Sequence, residues 1–243
     1  MSRQLAFDLP GQEKLGREDF FASPANAQGL AMIDMWRLWP GAMLLLVGPK
    51  GAGKTHLAQI WAAEVGARVL SAASLASGDL GMLASSALAI EDTGRIAGQA
   101  AAETALFHLH NLMRERKLPL LLTARQPPRD WGLTLPDLDS RMKAVALVRI
   151  GPPDDALLSA VLAKLFADRQ VAAPPALIPY LTSRMERSID AARHLVAELD
   201  RRALARGGPI LRADAATLFA DADAATLFAD AEARGAADKA GPL

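Results

Sequence analysis

Short apolar runs alternate with segments of helical spacing along the chain as far as residue 150. The five runs lie at residues 43–47, 67–70, 87–90, 118–122 and 145–150. Apolar runs of this length between helical segments are typical of buried parallel strands with helices on both faces. A helical pattern at 24–39 precedes the first run, and Gly151-Pro152-Pro153 ends the alternation. The pattern predicts an α/β fold built on a five-stranded parallel sheet.

Beyond residue 153 the chain carries helical patterns and no further strand pattern. The helical segments lie near 154–169, 174–186 and 188–206, with Asp154 placed to cap the first. In the third, one face is shared by Ile189, Ala192, Leu195, Val196, Leu199 and Ala203. We therefore expect a flexible tail at 1–17, an α/β domain at 18–151, an all-α domain at 152–232 and a disordered tail at 233–243.

A nine-residue segment occurs twice in tandem near the end of the chain. Residues 213–221 read ADAATLFAD, and residues 222–230 repeat them. At about 100° per residue, nine residues rotate a helix by about 900°, so the two Leu-Phe pairs fall on opposite faces. We expect the first copy to pack and the second to project, bend away or fray. The role of the duplication stays open.

Composition excludes several classes of protein. The chain has 243 residues, 51% of them hydrophobic, which is enough for one core and a small second one. It contains no cysteine, which excludes disulfides and thiolate metal sites and favours the reducing cytoplasm. No apolar stretch approaches the ~20 residues that span a bilayer, and no signal segment is present. Lys+Arg and Asp+Glu are both 27, so the net charge does not indicate a protein that coats nucleic acid.

A complete phosphate-binding loop follows the first apolar run. It reads G-x-x-x-x-G-K-T and consists of Gly48, Pro49, Lys50, Gly51, Ala52, Gly53, Lys54 and Thr55. Glycines let backbone N–H groups surround phosphate oxygens, and the following helix adds its positive end. Lys54 reaches the β- and γ-phosphates, and Thr55 is a ligand of Mg²⁺. The sequence therefore predicts a site for ADP or ATP with Mg²⁺.

Several stretches together resemble the DnaA/Hda branch of AAA+ ATPases, and within it the Hda-type regulators of bacterial chromosome replication. They are Asp19-Phe20-Phe21 with Asn26, the loop through His56-Leu57, Ile90-Glu91-Asp92, LFHLHN at 106–111, LLLTARQPP at 120–128 and LPDLDSR at 135–141. The resemblance covers residues 18 to about 220 and implies an AAA+ α/β domain with a helical lid. It also implies that Phe21, Asn26 and His56 join the loop in nucleotide binding.

The resemblance assigns the catalytic groups. Arg141 stands where the family has the arginine finger that is offered in trans to a neighbouring subunit. Glu91 and Asp92 stand at the Walker B position, and Glu91 with Thr55 would hold the Mg²⁺. The family has two aspartates there, so the carboxylate of Glu91 is one methylene further from its backbone.

Two more positions depart from the family. At sensor I, Thr123-Ala124-Arg125 carries a base where DnaA-like sequences have an acid. At sensor II, Asp190 stands where the lid arginine belongs, and a carboxylate beside a polyphosphate is repulsive. Arg193 or Arg187 could replace that arginine, and both remain open. We expect weak intrinsic hydrolysis, and the sequence leaves open whether ADP or ATP is the resting nucleotide.

The first residues resemble a further short motif. Gln4-Leu5-Ala6-Phe7-Asp8-Leu9-Pro10 is similar to the Q-L-x-L/F peptide that docks bacterial proteins on the DNA polymerase III sliding clamp, its β subunit. In such a peptide Gln4 would hydrogen-bond, while Leu5, Phe7 and Leu9 would fill apolar pockets.

These resemblances imply a nucleotide-binding regulator. It would dock on the sliding clamp, stimulate ATP hydrolysis by DnaA and so prevent re-initiation of replication. DnaA carries a C-terminal DNA-binding domain, for which we see no sequence here, so we expect no sequence-specific DNA binding and no membrane association. The alternatives are an autonomous AAA+ ATPase or helicase loader, which strong turnover and ring formation would favour, and a P-loop kinase, which needs an arginine-rich lid. Homo-oligomerisation stays open.

Overall fold

A computed structural model describes residues 16–221 of the chain. The chain divides into two compact units between Gly151 and Pro152. The clamp-like motif at 4–10, the second copy of the repeat at 222–230 and the segment 233–243 lie outside the described residues. Within 16–221, no helix combines the length and apolar character needed to cross a membrane.

The first unit is built on a five-stranded parallel sheet in the order β2-β3-β4-β1-β5. The strands are β1 Met43–Val47, β2 Arg68–Ser71, β3 Leu88–Glu91, β4 Leu120–Ala124 and β5 Ala146–Arg149. Each lies within two residues of its predicted run. Strand β4 starts two residues late because Leu118 N donates to Met113 O (2.9 Å), which extends the turn that ends the preceding helix.

Helices cover both faces of this sheet. They are α1 Ala27–Asp34, α2 Lys54–Val65, α3 Leu80–Leu83, α4 Ala100–Glu115 and α5 Pro136–Ala144. Alternate residues of β1 point to opposite sides, so Leu44 packs with Trp61 of α2 and Leu45 packs with Leu106 of α4. Helix α1 is shorter than the predicted 24–39 because Trp36–Leu38 tightens into a 3₁₀ turn, after which the Trp39 ring stacks on Trp61 at 5.2 Å.

The second unit consists of helices around its own apolar core. They are α6 Asp155–Asp168, α7 Leu177–Thr182, α8 Ile189–Arg206 and α9 at 212–221. Asp154 caps α6 by accepting Leu157 N at 2.8 Å, and Ser188 caps α8. Helix α7 starts later than predicted because each proline of Pro174-Pro175 disfavours the helical conformation of the residue before it.

The first copy of the repeat packs against this helical core, as the sequence predicted. Ala215 of α9 is fully buried, and Leu218 and Phe219 lie against the core side chains. An ion pair of 3.0 Å between Arg202 of α8 and Asp221 holds the end of the copy. The core of this unit therefore includes part of the duplicated segment.

Candidate nucleotide-binding site and finger helix

The phosphate loop lies where the direction of the sheet connections reverses. From β1 the chain crosses toward β2, and from β4 it crosses to the other side, toward β5. The carboxyl ends of β1 and β4 are neighbours, and Gly48 N after β1 donates to Ala124 O of β4 at 3.2 Å. In open α/β sheets, ligands bind outside the strand ends at such a reversal.

Gly48 can only be a glycine in this arrangement. A Cβ at this position would lie 2.5 Å from the backbone oxygen of Ile150, which follows β5. Ile150 N in turn donates to Val47 O at 2.7 Å, so the oxygen cannot move away without breaking the end of the β1–β5 pair. The first glycine of the loop is therefore required by a close approach of two backbones.

The rest of the loop has the shape of an anion cradle. Gly51 and Gly53 have φ values of 71° and 92°, in the left-handed region where a glycine is unstrained. Gly53 is the N-cap residue of the twelve-residue helix α2, whose first turn points its N–H groups into the loop. A polyphosphate fits these donors and the positive end of the helix dipole.

Lys54 and Thr55 begin α2 at the mouth of the loop. The ammonium of Lys54 donates to Gly48 O and Pro49 O, both at 2.8 Å, and this residue is buried. Thr55 is exposed. A ring nitrogen of His56 lies 2.9 Å from Gly16 O, so this side chain faces the segment that precedes the first helix.

That N-terminal segment is fixed to the α/β unit. The Phe20 ring meets the His56 ring edge-on at 5.1 Å. Asn26, 3% exposed, donates from its side-chain amide to Phe21 O at 2.9 Å, while the Phe21 side chain stays partly exposed. Arg17 forms a double hydrogen bond with Asp34 (2.5 and 2.7 Å). Gly16 and Arg17, which the sequence assigned to the flexible tail, therefore belong to the folded unit.

Glu91 is the last residue of β3, and Asp92 follows it; this segment is tied to the end of β4. Asp92 has a φ of 55°, and its N–H donates to the Thr123 hydroxyl at 3.2 Å. The Thr93 hydroxyl donates to Thr123 O at 2.8 Å. Thr123 therefore fixes the backbone that carries Glu91 and Asp92. Thr123 thus holds the segment after β3 in place, a role that its position at the expected sensor I did not predict.

The carboxylates of Glu91 and Asp92 have different surroundings. Within residues 16–221, the buried Oε1 of Glu91 has no hydrogen-bond partner, and an unpaired buried carboxylate oxygen is a group that a hard cation would stabilise. The Asp92 carboxylate lies 3.6 Å from Arg95. In the same residues no group of three or more His, Cys, Asp or Glu forms a metal site, so a Mg²⁺ here would need phosphate and water ligands besides Thr55 and Glu91.

Beside Asp92 the surface opens into a cavity of about 290 Å³. Arg125, the base at sensor I, lines it together with Arg95 and Asp130. Trp131 closes one side, with its indole N–H donating to Gln126 O at 2.7 Å. Sequence analysis missed Arg95, which lies in the 3₁₀ turn Thr93–Ile96, and Trp131, because neither belongs to a motif.

In the helical unit, both arginines proposed for sensor II have carboxylate partners. Arg193 lies 3.4 Å from Asp190, one turn before it on α8. Arg187 pairs with Asp155 at 2.8 Å and donates to Pro153 O. Asp190 is thus part of a local ion pair at the start of α8.

Helix α5 carries Arg141 on its side toward α4. The guanidinium lies 5.1 Å from the centre of the Phe107 ring, within the range of a cation–π contact. Within residues 16–221, no carboxylate forms an ion pair with Arg141, whereas Lys143 of the same helix pairs with Asp139 at 2.5 Å. Burial lowers the pKa of His110 on α4; a hydrogen bond with Asn111 opposes this, and the positive charge of Arg141 contributes further to the lowering.

Glu103 is a buried carboxylate that sequence analysis missed. It is 1% exposed and accepts hydrogen bonds from Gly98 N, Thr134 N, Leu135 N and the Thr134 hydroxyl, at 2.8–2.9 Å. Burial raises the pKa of Glu103, but the amides of Leu135, Thr134 and Gly98 outweigh it and the net pKa is lowered. The available signal was an acidic residue on the otherwise apolar stripe of Leu106, Leu109 and Met113.

Comparison with known proteins identifies the fold. No protein-family model matches the chain. Domain III of the Thermotoga maritima replication initiation protein DnaA has a TM-score of 0.74 at 18% identity, covering 88% of this chain and 98% of that one. The FIGL-1 AAA domain has a TM-score of 0.64 at 16% identity, covering 87% and 83%.

A longer DnaA chain gives a similar result. AMPPCP-bound DnaA from Aquifex aeolicus has a TM-score of 0.67 at 18% identity, covering 78% of this chain. The match spans only 66% of that DnaA chain, just under two thirds of its length. The predicted fold class is confirmed: the chain has the AAA+ fold, with a five-stranded parallel sheet and helices.

Replacing Glu103 by glutamine should lower the free energy of unfolding at pH 7 by about 1–3 kcal/mol, since buried amides lose an acceptor. The lowered pKa means that the carboxylate stabilises the fold above the ordinary glutamate pKa, about 4.3, and that this stabilisation disappears as the pH falls through the lowered value. Urea unfolding at several pH values measures both effects.

Glu115→Gln is the matched control, because Glu115 is exposed at the end of the same helix. It should change stability little at any pH. An equal loss for Glu103→Gln at pH 7 and in acid, or no loss at pH 7, would contradict the assigned role of the carboxylate.

Proposed function

We propose that this protein is a nucleotide-dependent regulator that offers Arg141 in trans to DnaA, stimulates ATP hydrolysis there and so prevents re-initiation of replication. In this proposal it acts in the cytoplasm, docked on the DNA polymerase III sliding clamp through Gln4, Leu5, Phe7 and Leu9. The observation that carries the proposal is the combination of a well-formed phosphate loop with an arginine on α5 that has no carboxylate partner among residues 16–221.

The loop supports binding of ADP or ATP. The amides from Gly51 to Thr55 would hold the α- and β-phosphates, and the ammonium of Lys54 would exchange the carbonyls of Gly48 and Pro49 for phosphate oxygens. Thr55 and Glu91 would supply protein ligands to Mg²⁺, which offsets the charge of the phosphates when it is bound. The nucleotide-bound DnaA structure of the same fold supports this choice of ligand.

The surroundings of the terminal phosphate support slow hydrolysis on the protein itself. Asp92 is already paired with Arg95, and Arg125 adds a positive charge to the adjoining cavity. The contact with Arg95 competes with an attacking water for the Asp92 carboxylate. Arg193 and Arg187 would have to leave Asp190 and Asp155 before they could bind a γ-phosphate. The nucleotide in this site therefore acts mainly as a structural ligand.

Arg141 suits the chemistry of a finger. A guanidinium inserted beside a transferring phosphoryl group stabilises the negative charge that develops on its oxygens. The cation–π contact with Phe107 holds Arg141 without neutralising it, so its full charge remains for an incoming phosphate. An ion pair in the same place would first have to be broken.

Replacement of Arg141 by alanine should reduce the stimulation of DnaA ATP hydrolysis by about 10³-fold or more, the loss expected for a finger in trans. Clamp binding and nucleotide binding should survive. The measurement is ATP turnover with DnaA and clamp-loaded DNA. Lys143→Ala removes a nearby cation of the same helix and should leave stimulation intact. Normal stimulation by the Arg141→Ala variant would show that the finger lies elsewhere.

Replacement of Leu5 and Phe7 together by alanine should weaken clamp binding at least about tenfold, since each anchor is worth about 2 kcal/mol. Surface binding to the purified sliding clamp measures the affinity. Glu13 and Lys14, in the same segment but outside the motif, give the matched double-alanine control. Equal affinity of the two double variants would exclude the motif as the docking element.

The nucleotide site should bind ATP and ADP with affinities within about tenfold of each other, or about 1.4 kcal/mol. The reason is that both candidate lid arginines are paired with carboxylates, so neither is available to bind the γ-phosphate. Calorimetry with both nucleotides measures this difference. Lys54→Ala should weaken both. Lys117→Ala should weaken neither, because Lys117 precedes β4 at the amino ends of the strands, away from the loop at their carboxyl ends. A strong preference for ATP, or brisk turnover without DnaA, would mean that Arg193 or Arg187 supplies the missing cation.

A further inference from the structure

The start of helix α5 has no cap of its own. Its N-cap residue is Leu135, whose side chain cannot accept a hydrogen bond from the first turn, and the first helical residue is Pro136. A helix start leaves backbone N–H groups that need acceptors from elsewhere. The backbone N–H groups of Thr134 and Leu135 donate instead to a different helix: their acceptor is the carboxylate of Glu103 on α4.

The Glu103 carboxylate joins three parts of the α/β unit. One oxygen accepts a hydrogen bond of 2.8 Å from Gly98 N, in the turn that leads into α4. The other accepts hydrogen bonds from Leu135 N at 2.8 Å and from Thr134 N and the Thr134 hydroxyl at 2.9 Å. Both oxygens are therefore used, and the side chain is 1% exposed. A carboxylate so fully engaged is not available as a general base, and its effect is on geometry.

The same face of α4 contacts α5 a second time, at the arginine. Phe107 lies four residues after Glu103, which is one helical turn, and its ring faces the Arg141 guanidinium. Arg141 is the sixth residue of α5, about 7.5 Å along the helix axis from Pro136. In so short a helix, a change in the position of the first turn moves the sixth residue with it.

We propose that Glu103 is a positioning residue for Arg141: by capping the start of α5 from α4, it sets the position from which the guanidinium reaches a neighbouring nucleotide. The effect of Glu103 on hydrolysis by a partner rests on the proposed function, whereas its effect on the position of Arg141 does not. A displacement of about 1 Å in a catalytic group can cost about 10²-fold in rate, so a buried cap remote from the reacting atoms can control the finger.

The geometric part is tested by NMR on the protein alone. The side-chain protons of Arg141 should be shifted by the ring current of Phe107, and the Arg141→Lys variant assigns the signal. In Glu103→Gln, an amide group replaces one acceptor oxygen. The Arg141 signal should move by more than half of the way to its unstructured position, and amide exchange at Thr134 and Leu135 should accelerate at least about tenfold. An unchanged Arg141 signal would overturn the inference.

The functional part is tested by titrating DnaA, on clamp-loaded DNA, with the Glu103→Gln variant. A lost positioning residue should lower the maximal rate of stimulated hydrolysis about 10- to 100-fold while the half-saturating concentration stays within about threefold. Clamp binding and ADP binding should be unchanged, as in the Glu115→Gln control. If the rate, clamp binding and ADP binding all fall together, Glu103 is merely structural and the inference is wrong.

The two proposals fail in different ways. If the wild-type protein does not stimulate DnaA, the proposed function fails, and the NMR result alone decides whether Glu103 positions Arg141. If the wild type stimulates and Glu103→Gln stimulates equally well, the proposed function stands and the positioning role is overturned.

Discussion

Gly48 lies where three strand ends meet, and the candidate site depends on the packing at this residue. Its N–H donates to Ala124 O of β4, and its α-carbon faces the backbone oxygen of Ile150 so closely that a Cβ would lie 2.5 Å away. Because both neighbours are strand ends of the same sheet, they restrict the direction in which the chain leaves β1. That direction leads through Gly51 and Gly53 into α2 and sets where Lys54 and Thr55 begin the helix.

The same parallel sheet brings the other candidate groups to this edge. Strand β3 ends at Glu91, and strand β4 ends beside Thr123. The Thr123 hydroxyl accepts a hydrogen bond from Asp92 N, and its carbonyl accepts one from the Thr93 hydroxyl. Helix α4 then fixes α5 at two points. Glu103 accepts a hydrogen bond from Leu135 at the start of α5, and the Phe107 ring contacts the Arg141 guanidinium. The phosphate loop and helix α5, which carries Arg141, are thus both positioned by backbone and buried contacts of a single unit.

The sequence predicted well what depends on local pattern. Buried strands appear in the sequence as apolar runs, so all five strands were predicted to within two residues. The phosphate-loop motif predicts the loop directly, because its glycines are needed for the shape of the loop. Helix ends were harder: α1 and α7 are shorter than predicted, because a 3₁₀ turn at Trp36 and the prolines at 174–175 act against helical spacing. Element existence follows from periodicity, whereas boundaries depend on single hydrogen bonds.

What the sequence could not predict are the pairings between distant or flexible side chains. The cap that Glu103 provides to Leu135 joins residues 32 apart, and the Arg17–Asp34 pair joins residues 17 apart. The pairs of Asp92 with Arg95 and of Asp190 with Arg193 are local, but they depend on which rotamers the surroundings allow. For sensor II the interpretation changes, because both candidate arginines already have a carboxylate beside them: Asp190 for Arg193 and Asp155 for Arg187.

If this protein completes the active site of another ATPase, as we propose, hydrolysis must occur on the nucleotide of that other protein. DnaA whose own finger arginine has been replaced is loaded with radiolabelled ATP and mixed with this protein on clamp-loaded DNA. We expect labelled ADP on DnaA, formed at a rate that saturates with the concentration of this protein. If the labelled ATP on DnaA persists, or if only nucleotide bound to this protein is hydrolysed, this protein does not act in trans on DnaA.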